Sequence, residues 1–253
     1  MIKIENIKVS GWEAALRGMR NPKDSWHLSD STYEPEFRFG PNDLKLAKML
    51  HKGGPVHSKY KRYIIITMDI TAPLYWWNEF DTYKVGTVAN SCSTMHKIEA
   101  YEFTRDMFSY EHLNTTGLGL LDMTIQFLNK ERARFNESDK KDKDAWWQLI
   151  QSLPSSFNQK RTVQLSYENA TSMYMWRHNH KQDEWRELCK VFETLPYADD
   201  ILIPPTKQQL DADKLCDEIK KLKINVPDTL LEGTEISLDD LDKLCENISN
   251  LLK

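Results

Sequence analysis

The sequence predicts a protein of the α/β (α+β) class, in which strands and amphipathic helices are interspersed along one chain. Residues 2–9 alternate apolar and polar side chains as a half-buried strand does, and residues 62–70 are rich in β-branched side chains. The stretch LLDMTIQFLNKERARF instead spaces its apolar side chains for one face of a helix. A chain of 253 residues with these elements fits one main domain.

The composition limits which partners and which cellular compartment are expected. With a formal net charge of −4, the chain lacks the basic balance that following a polyanion requires, so nucleic acid is not an expected partner. The four cysteines are far apart and form no CxxC pair, which favours a reducing, cytoplasmic compartment over a disulfide scaffold or a zinc site. No apolar run approaches the roughly 20 residues that span a bilayer, so membrane insertion is not expected.

The first half of the chain is predicted to alternate between helix and strand. GWEAALRGMRNP places apolar residues at helical spacing and ends at an Asn-Pro pair, after which a polar, turn-rich stretch predicts an ordered loop. GPNDLKLAKMLHKGG then predicts a short helix with Asn42 or Asp43 as its N-cap. After the strand at residues 62–70, Pro73 begins another helix, which gives way to loop or extended chain at residues 86–93.

The second half is predicted to be mainly helical. LLDMTIQFLNKERARF and AWWQLIQSLP are helices on either side of a charged surface loop, and KRTVQLSY is a short strand. Residues 168–197 are mostly helical, and SLDDLDKLCENISNLL forms an amphipathic helix behind a Ser237 cap. Because the composition changes after a Pro-Pro pair, we expect a domain at residues 1–204 and a C-terminal helical appendage at residues 205–253.

Two stretches, residues 75–97 and 169–186, combine aromatic rings with Lys, Arg, Asn, Gln and hydroxyl side chains. Flat rings can stack on a heterocycle, and these polar side chains can hold phosphate and base edges. The combination indicates a nucleotide-like ligand. The alternative is that the tryptophans are core or subunit-interface residues, namely Trp76, Trp77, Trp176 and Trp185.

Other chemical candidates are weaker. The motifs GxGxxG, GxSxG and HExxH and the P-loop do not occur in the sequence. His178 and His180 lie about 200° apart around a helix, so we expect surface or hydrogen-bonding roles, and no metal. Cys92 lies between two serines with no visible base, which favours a small apolar role over a nucleophilic one.

The order of these features resembles that of the flavin-dependent thymidylate synthases, the ThyX family, over residues 1–204. A strand ends at Ala72-Pro73, an aromatic helix and a hydroxyl-rich loop follow, and NATSM and QDEWR come about eighty residues later. The family has an Ala-Pro pair, then Arg-Gln-Trp, and a signature of the form RHRxxSxNxxSxR.

That signature is degenerate here and has two possible registers. Counted without gaps, its RHR and its two serines fall on Thr82, Tyr83, Lys84, Thr87 and Cys92. A shift by one residue instead places Asn90 and Ser93 on the family's asparagine and second serine. Lys84 is the cation that remains in either register.

The second block matches the family more closely. NATSM resembles Asn-(Leu/Ala)-Arg-Ser-Leu, whose asparagine and arginine contact flavin and nucleotide, and Thr171 takes the place of that arginine. QDEWR resembles Gln-x-Glu-Ile-Arg, whose last arginine engages the substrate phosphate. The resemblance implies cofactor-binding roles for Lys84, Thr87, Asn90, Asn169 and Thr171. It implies substrate-binding roles for Cys92, Ser93, Gln182 and Arg186.

The resemblance also implies an architecture and a reaction. The family folds around a central mixed or antiparallel sheet flanked by helices and forms homotetramers whose sites lie between subunits. Each site holds FAD over dUMP and uses methylenetetrahydrofolate and NADPH, and the reduced flavin carries the one-carbon unit to the base. No protein nucleophile is required, because the flavin supplies the redox chemistry. We therefore expect FAD as cofactor, a pyrimidine nucleotide as partner and a homo-oligomer, with the tetramer as the expected size.

The missing arginines separate two hypotheses. Thr or Tyr cannot replace the two parallel hydrogen bonds of a guanidinium, and each lost charged contact costs about 1.5–3 kcal/mol. The leading hypothesis is a flavin-dependent thymidylate synthase-like enzyme that transfers a one-carbon unit to dUMP or to a variant pyrimidine deoxynucleotide. The alternative is a catalytically inactive binding or assembly module of the same fold.

Overall fold

The computed structural model describes residues 2–211, 214 and 215. The strands are β1 (Lys3–Ser10), β2 (Ile65–Pro73), β3 (Val88–Ser91) and β4 (Asn158–Ser166). The α-helices are α1 (Trp12–Arg20), α2 (Pro41–Lys52), α3 (Leu74–Phe80), α4 (Thr94–Lys97), α5 (Thr115–Glu137), α6 (Lys143–Ser152), α7 (Tyr167–Arg177) and α8 (Asp183–Glu193). A π-helical turn, Ala198–Leu202, follows α8. The predicted α/β (α+β) class is confirmed.

The four strands form one antiparallel sheet in the order β1-β2-β4-β3. β2 and β4 pair along their whole length, from Ile65 opposite Ser166 to Pro73 opposite Asn158. β3 extends the sheet on the far side of β4, with Val88 opposite Gln164. The expected central antiparallel sheet and its three predicted strands are therefore confirmed, and the stretch predicted as loop or extended chain contains β3.

The outer strand β1 pairs with β2 in an irregular register. Glu5 lies opposite Asp69 and Lys8 lies opposite Thr67, so one extra residue forms a bulge between them. Asn6, within the bulge, has a φ of 55°, in the left-handed region that Asn tolerates better than most residues. Its side-chain Nδ2 donates a hydrogen bond of 2.8 Å to Asp69 Oδ2, which fixes the bulge against β2.

Helices cover one face of the sheet and enclose the larger hydrophobic core. Alternate residues of β2 are buried there because side chains alternate between the two faces of a strand. The helices α1, α3, α7 and α8 contribute buried side chains that include Trp12, Leu16, Trp76, Trp77, Met173, Trp185 and Leu188. A second, smaller cluster joins α5 and α6 through residues that include Phe103, Phe108, Leu121, Leu128 and Leu149.

The start of α2 differs from the prediction. Its N-cap residue is Gly40, and neither Asn42 nor Asp43 occupies that position. Asp30, in the preceding loop, instead accepts hydrogen bonds from the backbone N–H groups of Asn42 at 2.9 Å and Asp43 at 3.1 Å. The prediction was wrong because the capping carboxylate belongs to Asp30 in the preceding loop, outside the helical pattern from which the cap was predicted.

Asp43 is buried and anchors the loop between α1 and α2. Its Oδ1 accepts a hydrogen bond of 2.6 Å from Arg20 Nε, and its Oδ2 accepts from the hydroxyls of Ser29 at 2.8 Å and Ser31 at 2.6 Å. The backbone N–H groups of Asp30 and Ser31 also donate to Oδ2, each at 3.1 Å. Burial acts to raise the pKa of Asp43, but these hydrogen bonds outweigh it and hold the pKa below its ordinary value. These hydrogen bonds hold the loop against α2.

Residues 168–197, predicted as mostly helical, form two helices with a break between them. α7 begins with a capping box in which the side chains of Ser166 and Asn169 each bond to the other residue's backbone N–H. α7 ends at Arg177, and α8 begins behind Gln182, which has extended backbone angles. The prediction of a mostly helical segment is confirmed, but the segment is interrupted between Arg177 and Asp183.

The chain divides into two units, Met1–Ile203 and Pro204–Lys253. In the second unit, residues 207–211, 214 and 215 are helical. The amphipathic helix predicted behind Ser237 lies outside the described residues, and the domain roles assigned from the sequence stay predictions. Among the described residues, no helix combines the length and the apolar character that crossing a membrane requires.

Candidate functional site

The two polar-aromatic stretches of the sequence meet within the chain. Glu79, near the end of α3, accepts hydrogen bonds at its Oε2 from Arg177 Nη1 at 2.8 Å and from Trp185 Nε1 at 3.1 Å. Tyr75, on the first turn of α3, donates through its hydroxyl to the buried Glu184 of α8. Burial first, and the Glu184 carboxylate second, raise the pKa of Tyr75. These contacts hold α3 against α7 and α8.

Most of the aromatic rings in these stretches belong to the core. Trp76, Trp77 and Trp185 are each 0% exposed, and the ring centroids of Trp76 and Trp185 lie 4.9 Å apart. Phe80 stacks on Trp185 at 6.3 Å. These rings are not available to a heterocycle, so the core alternative is confirmed for all three tryptophans. Trp176, on α7, differs from them because it is 73% exposed.

The loop at residues 84–87 lies against the first turn of α7. Asn169 Nδ2 donates a hydrogen bond of 2.8 Å to the carbonyl oxygen of Val85. Three of the predicted cofactor residues, Lys84, Thr87 and Asn169, are therefore neighbours. Trp176 lies two turns beyond Asn169 at nearly the same angle around α7, so both side chains project from one side of the helix.

Arg177 connects this loop to the start of α8. Its Nε donates a hydrogen bond of 3.0 Å to the hydroxyl of Tyr83, and its guanidinium carbon lies 4.6 Å from the ring centroid of Trp185. Arg177 Nη1 also lies 2.9 Å from His180 Nε2. Burial and then the charge of Arg177 lower the pKa of His180, which favours a neutral imidazole.

Arg186 and Gln182 lie together at this connection. Arg186 Nη1 donates a hydrogen bond of 2.6 Å to the carbonyl oxygen of His180, and Nη2 donates to Asp183. The side chain of Arg186 remains 41% exposed, so the guanidinium is oriented and open to solvent. The Oε1 atom of Gln182 is buried and has no hydrogen-bond partner in the described part of the chain. The substrate-binding roles of both residues stay predictions.

The remaining predicted residues of the first block lie along and after β3. Asn90 is exposed on β3 opposite Thr162. The backbone N–H of Cys92 donates to the carbonyl oxygen of Lys160 at 2.9 Å, and the hydroxyl of Ser93 caps α4 by accepting from His96 N at 3.2 Å. These contacts join the three residues to β4 and α4, and their ligand roles stay predictions.

Thr171 lies about 200° around α7 from Asn169, on the opposite side of the helix. Its Oγ1 lies 2.8 Å from the carbonyl oxygen of Leu202 and 2.8 Å from that of Tyr167. The same oxygen accepts a hydrogen bond of 3.0 Å from Lys61 Nζ. Its predicted cofactor role stays a prediction, and these three contacts all lie within the protein.

Lys61 is buried beside a buried histidine. Its Nζ lies 3.0 Å from His51 Nδ1, while His51 Nε2 lies 2.8 Å from the carbonyl oxygen of Ile203. Because a carbonyl can only accept, Nε2 must donate and Nδ1 must accept from Lys61. Burial lowers the pKa of Lys61 to about 8. Burial and then the charge of Lys61 lower the pKa of His51 to about 4.

Sequence reasoning missed Arg177 and Lys61. Arg177 had a signal, since it lies within the second polar-aromatic stretch at a helical interval from Asn169. Lys61 had none, because it lies in the sequence KYKR, which is typical of a solvated turn. Its burial arises from contacts with residues that are distant in the sequence.

Comparison with known proteins identifies the fold. No protein-family model and no curated protein sequence matches the chain. The solved structures nonetheless show that this chain has a ThyX-like fold, the fold of the flavin-dependent thymidylate synthases.

Two solved structures illustrate the similarity. Thymidylate synthase X (ThyX) from Helicobacter pylori, with FAD and dUMP, has 16% sequence identity and a TM-score of 0.58 over 80% of this chain and 97% of that chain. The UMP/dUMP methylase PolB from Streptomyces cacaoi, bound with 5-Br dUMP, has 14% identity and a TM-score of 0.55 over 81% of this chain and 92% of that chain. At these identities the comparison establishes the fold.

Proposed function

We propose that this protein binds a flavin and a pyrimidine nucleotide and transfers a one-carbon unit to the base, as a thymidylate synthase-like enzyme. The observation that carries the proposal is the ThyX-like fold, whose solved examples hold FAD and dUMP, or 5-Br dUMP. The neighbouring positions of the 84–87 loop, Asn169 and Trp176 support a site at this place.

The residues present suit a flat phosphorylated ligand. Trp176 offers an exposed ring on which a heterocycle can stack. Lys84 is an exposed cation on the neighbouring loop, and Arg186 presents an oriented guanidinium for a phosphate. FAD, when bound, would supply the redox chemistry and carry the one-carbon unit, with NADPH and methylenetetrahydrofolate as co-substrates. The protein would bind, orient and shield these groups.

We also propose that the protein is a homo-oligomer, with a tetramer as the expected size. The helix α5 supports this assembly, because Leu120 and Met123 are 67% and 68% exposed and Phe127 follows them on the same face. A contiguous apolar face of this kind is typical of an interface.

A catalytically inactive binding or assembly module is the second candidate. It is favoured by the residues at the family's arginine positions. The first arginine of the signature falls on Thr82, or on Tyr83 in the shifted register, and neither carries a charge, while the hydroxyl of Thr171 is engaged inside the protein. Purified protein that keeps a yellow flavin absorbance through gel filtration supports flavin binding. A colourless protein whose melting temperature does not change on addition of FAD or dUMP contradicts the proposed function and supports the inactive binding or assembly module.

We expect Arg186→Ala to abolish the rise in melting temperature that dUMP produces, while the protein alone melts close to the wild type. The guanidinium is half-exposed, so its removal costs little stability but removes a charged phosphate contact that is worth ten- to a hundredfold in affinity, about 1.5–3 kcal/mol. Arg17→Ala is the matched control, since Arg17 forms an exposed pair with Glu13 on α1. A wild-type response in Arg186→Ala would contradict this role. Lys84→Ala should weaken phosphate binding less severely, because an ammonium is a point charge without the bidentate fork.

We expect Trp176→Ala to weaken FAD binding roughly tenfold, because stacking on an aromatic ring contributes about 0.5–1.5 kcal/mol beyond the area it buries. Fluorescence titration with FAD measures the change. Trp147→Ala is the control, since Trp147 is an exposed tryptophan on α6. Equal FAD affinity in both variants would contradict a stacking role for Trp176.

A further inference from the structure

The side chain of Asn169 is engaged at both of its polar atoms. Its Oδ1 accepts hydrogen bonds from the backbone N–H of Ser166 at 3.1 Å and from the Ser166 hydroxyl at 2.8 Å. Its Nδ2 donates to the carbonyl oxygen of Val85 at 2.8 Å. A backbone N–H can only donate and a carbonyl can only accept, so these partners fix the orientation of the amide. Both polar atoms of the amide therefore form hydrogen bonds within the protein.

The loop at residues 84–87 is shaped to fit this amide. Gly86 has a φ of +78°, and a Cβ atom placed there would lie 2.9 Å from Asn169 Oδ1. The loop therefore approaches Asn169 more closely than a residue with a side chain would allow. The hydroxyl of Thr87 donates a hydrogen bond to the carbonyl oxygen of Tyr83, which joins the two ends of the turn.

The two ends of the loop are held by rigid elements. Before it, the N–H of Tyr83 donates to the carbonyl oxygen of Phe80 at the end of α3, at 3.0 Å. After it, β3 begins at Val88, which pairs with Gln164 of β4. Between these ends, Val85 is 87% exposed, and the hydrogen bond from Asn169 attaches the middle of the loop to the protein.

We propose that Asn169 is a positioning residue, which holds the 84–87 loop in place rather than contacting the flavin itself. The consequence for ligand binding rests on the proposed function, in which the 84–87 loop forms part of the ligand site. The attachment of the loop does not depend on that function, because it follows from the hydrogen bonds within the chain. In this protein the first turn of α7 sets the shape of the loop.

Two variants distinguish the hydrogen bond that holds the loop from the hydrogen bonds that cap the helix. In Asn169→Asp, a carboxylate oxygen still accepts from Ser166, and a negative charge in the first turn suits the helix, but the donor to Val85 is replaced by an acceptor. In Ser166→Ala, the N-cap hydroxyl is lost, while the Asn169 amide can still donate to Val85. The first variant should free the loop, and the second should weaken the helix.

Limited trypsin digestion measures the freedom of the loop, since trypsin cleaves after Lys84 and mass spectrometry identifies the fragments. We expect cleavage after Lys84 to accelerate roughly tenfold in Asn169→Asp, the effect of one lost hydrogen bond on a local opening equilibrium, and to stay near the wild-type rate in Ser166→Ala. The melting temperature should fall more in Ser166→Ala than in Asn169→Asp. Unchanged cleavage in Asn169→Asp, or an equal increase in both variants, would overturn the proposal.

Titration with FAD and with dUMP then tests the consequence for binding. We expect a several-fold weaker FAD affinity in Asn169→Asp, with the affinity of Ser166→Ala near that of the wild type. An unchanged FAD affinity in an Asn169→Asp protein whose loop is cleaved faster would overturn the positioning role in binding. Failure of the wild type to bind either ligand would contradict the proposed function, and the cleavage rates would still decide whether Asn169 holds the loop.

Discussion

Asp43→Ala is expected to lower the free energy of unfolding by about 3–5 kcal/mol, because it leaves the buried guanidinium of Arg20 without its carboxylate. The same substitution removes the acceptor that holds the hydroxyls of Ser29 and Ser31. Urea denaturation followed by circular dichroism measures the loss. Because the pKa of Asp43 is depressed in the folded protein, its stabilising contribution is present above the ordinary carboxyl pKa and is lost as the pH falls through the folded value.

Two further variants test the origin of this loss. Glu13→Ala is the matched control, since Glu13 is an exposed carboxylate on α1, and it should change the stability by less than about 0.5 kcal/mol. The double variant Arg20→Met/Asp43→Leu should recover part of the loss, because it leaves no unpaired buried charge. A loss below about 1 kcal/mol in Asp43→Ala would show that water replaces the carboxylate at little cost.

The buried pair of His51 and Lys61 is expected to make stability fall as the pH drops from 6.5 toward 4. In the unfolded state the pKa of His51 is near 6.5, whereas burial and the charge of Lys61 lower this pKa to about 4 in the folded protein. The unfolded state therefore binds more protons in this window, and the loss at its acidic end is about 3 kcal/mol. Lys61 has the corresponding effect in alkali, where stability should rise as the pH increases from about 8 to 10.5.

His51→Gln tests the acidic side of this dependence. A glutamine amide can donate to the carbonyl oxygen of Ile203 and accept from Lys61 without titrating. Urea unfolding at pH 7, 6, 5 and 4 should therefore give a shallower decline for His51→Gln than for the wild type. His57→Gln, at an exposed histidine, is the control and should follow the wild type. Parallel declines for all three proteins would exclude His51 as the source.

The elements of the fold could be predicted because their signals are local. The alternation along β2 and the apolar spacing of α1, α5 and α8 are visible within one stretch of sequence, and each of these elements is present. The start of α2 was mispredicted, since the capping carboxylate of Asp30 lies outside the helical pattern. Local patterns also contain no information on which strands pair, so the strand order does not follow from them.

The candidate site was predicted only in outline. The sequence identifies the two polar-aromatic stretches as candidate ligand-binding segments, but the rings expected to stack on a ligand include three buried tryptophans. Composition cannot separate Trp176 from Trp185, because solvent exposure depends on the side of the helix that the core covers. The engagement of Asn169 by Val85 and of Thr171 by Lys61 joins distant residues, which a comparison of motifs does not reveal.

The bulge in β1 has a consequence for how copies of this protein behave in a crowded solution. A straight outer strand offers a row of unpaired backbone groups on which another chain can add a strand and begin to aggregate. The bulge at Asn6 and Ile7 increases the local twist of this edge strand and shifts its register. The lysines at positions 3 and 8 place charges along the same edge. At the opposite border, β3 is only four residues long. Neither border offers a long template for a growing intermolecular sheet.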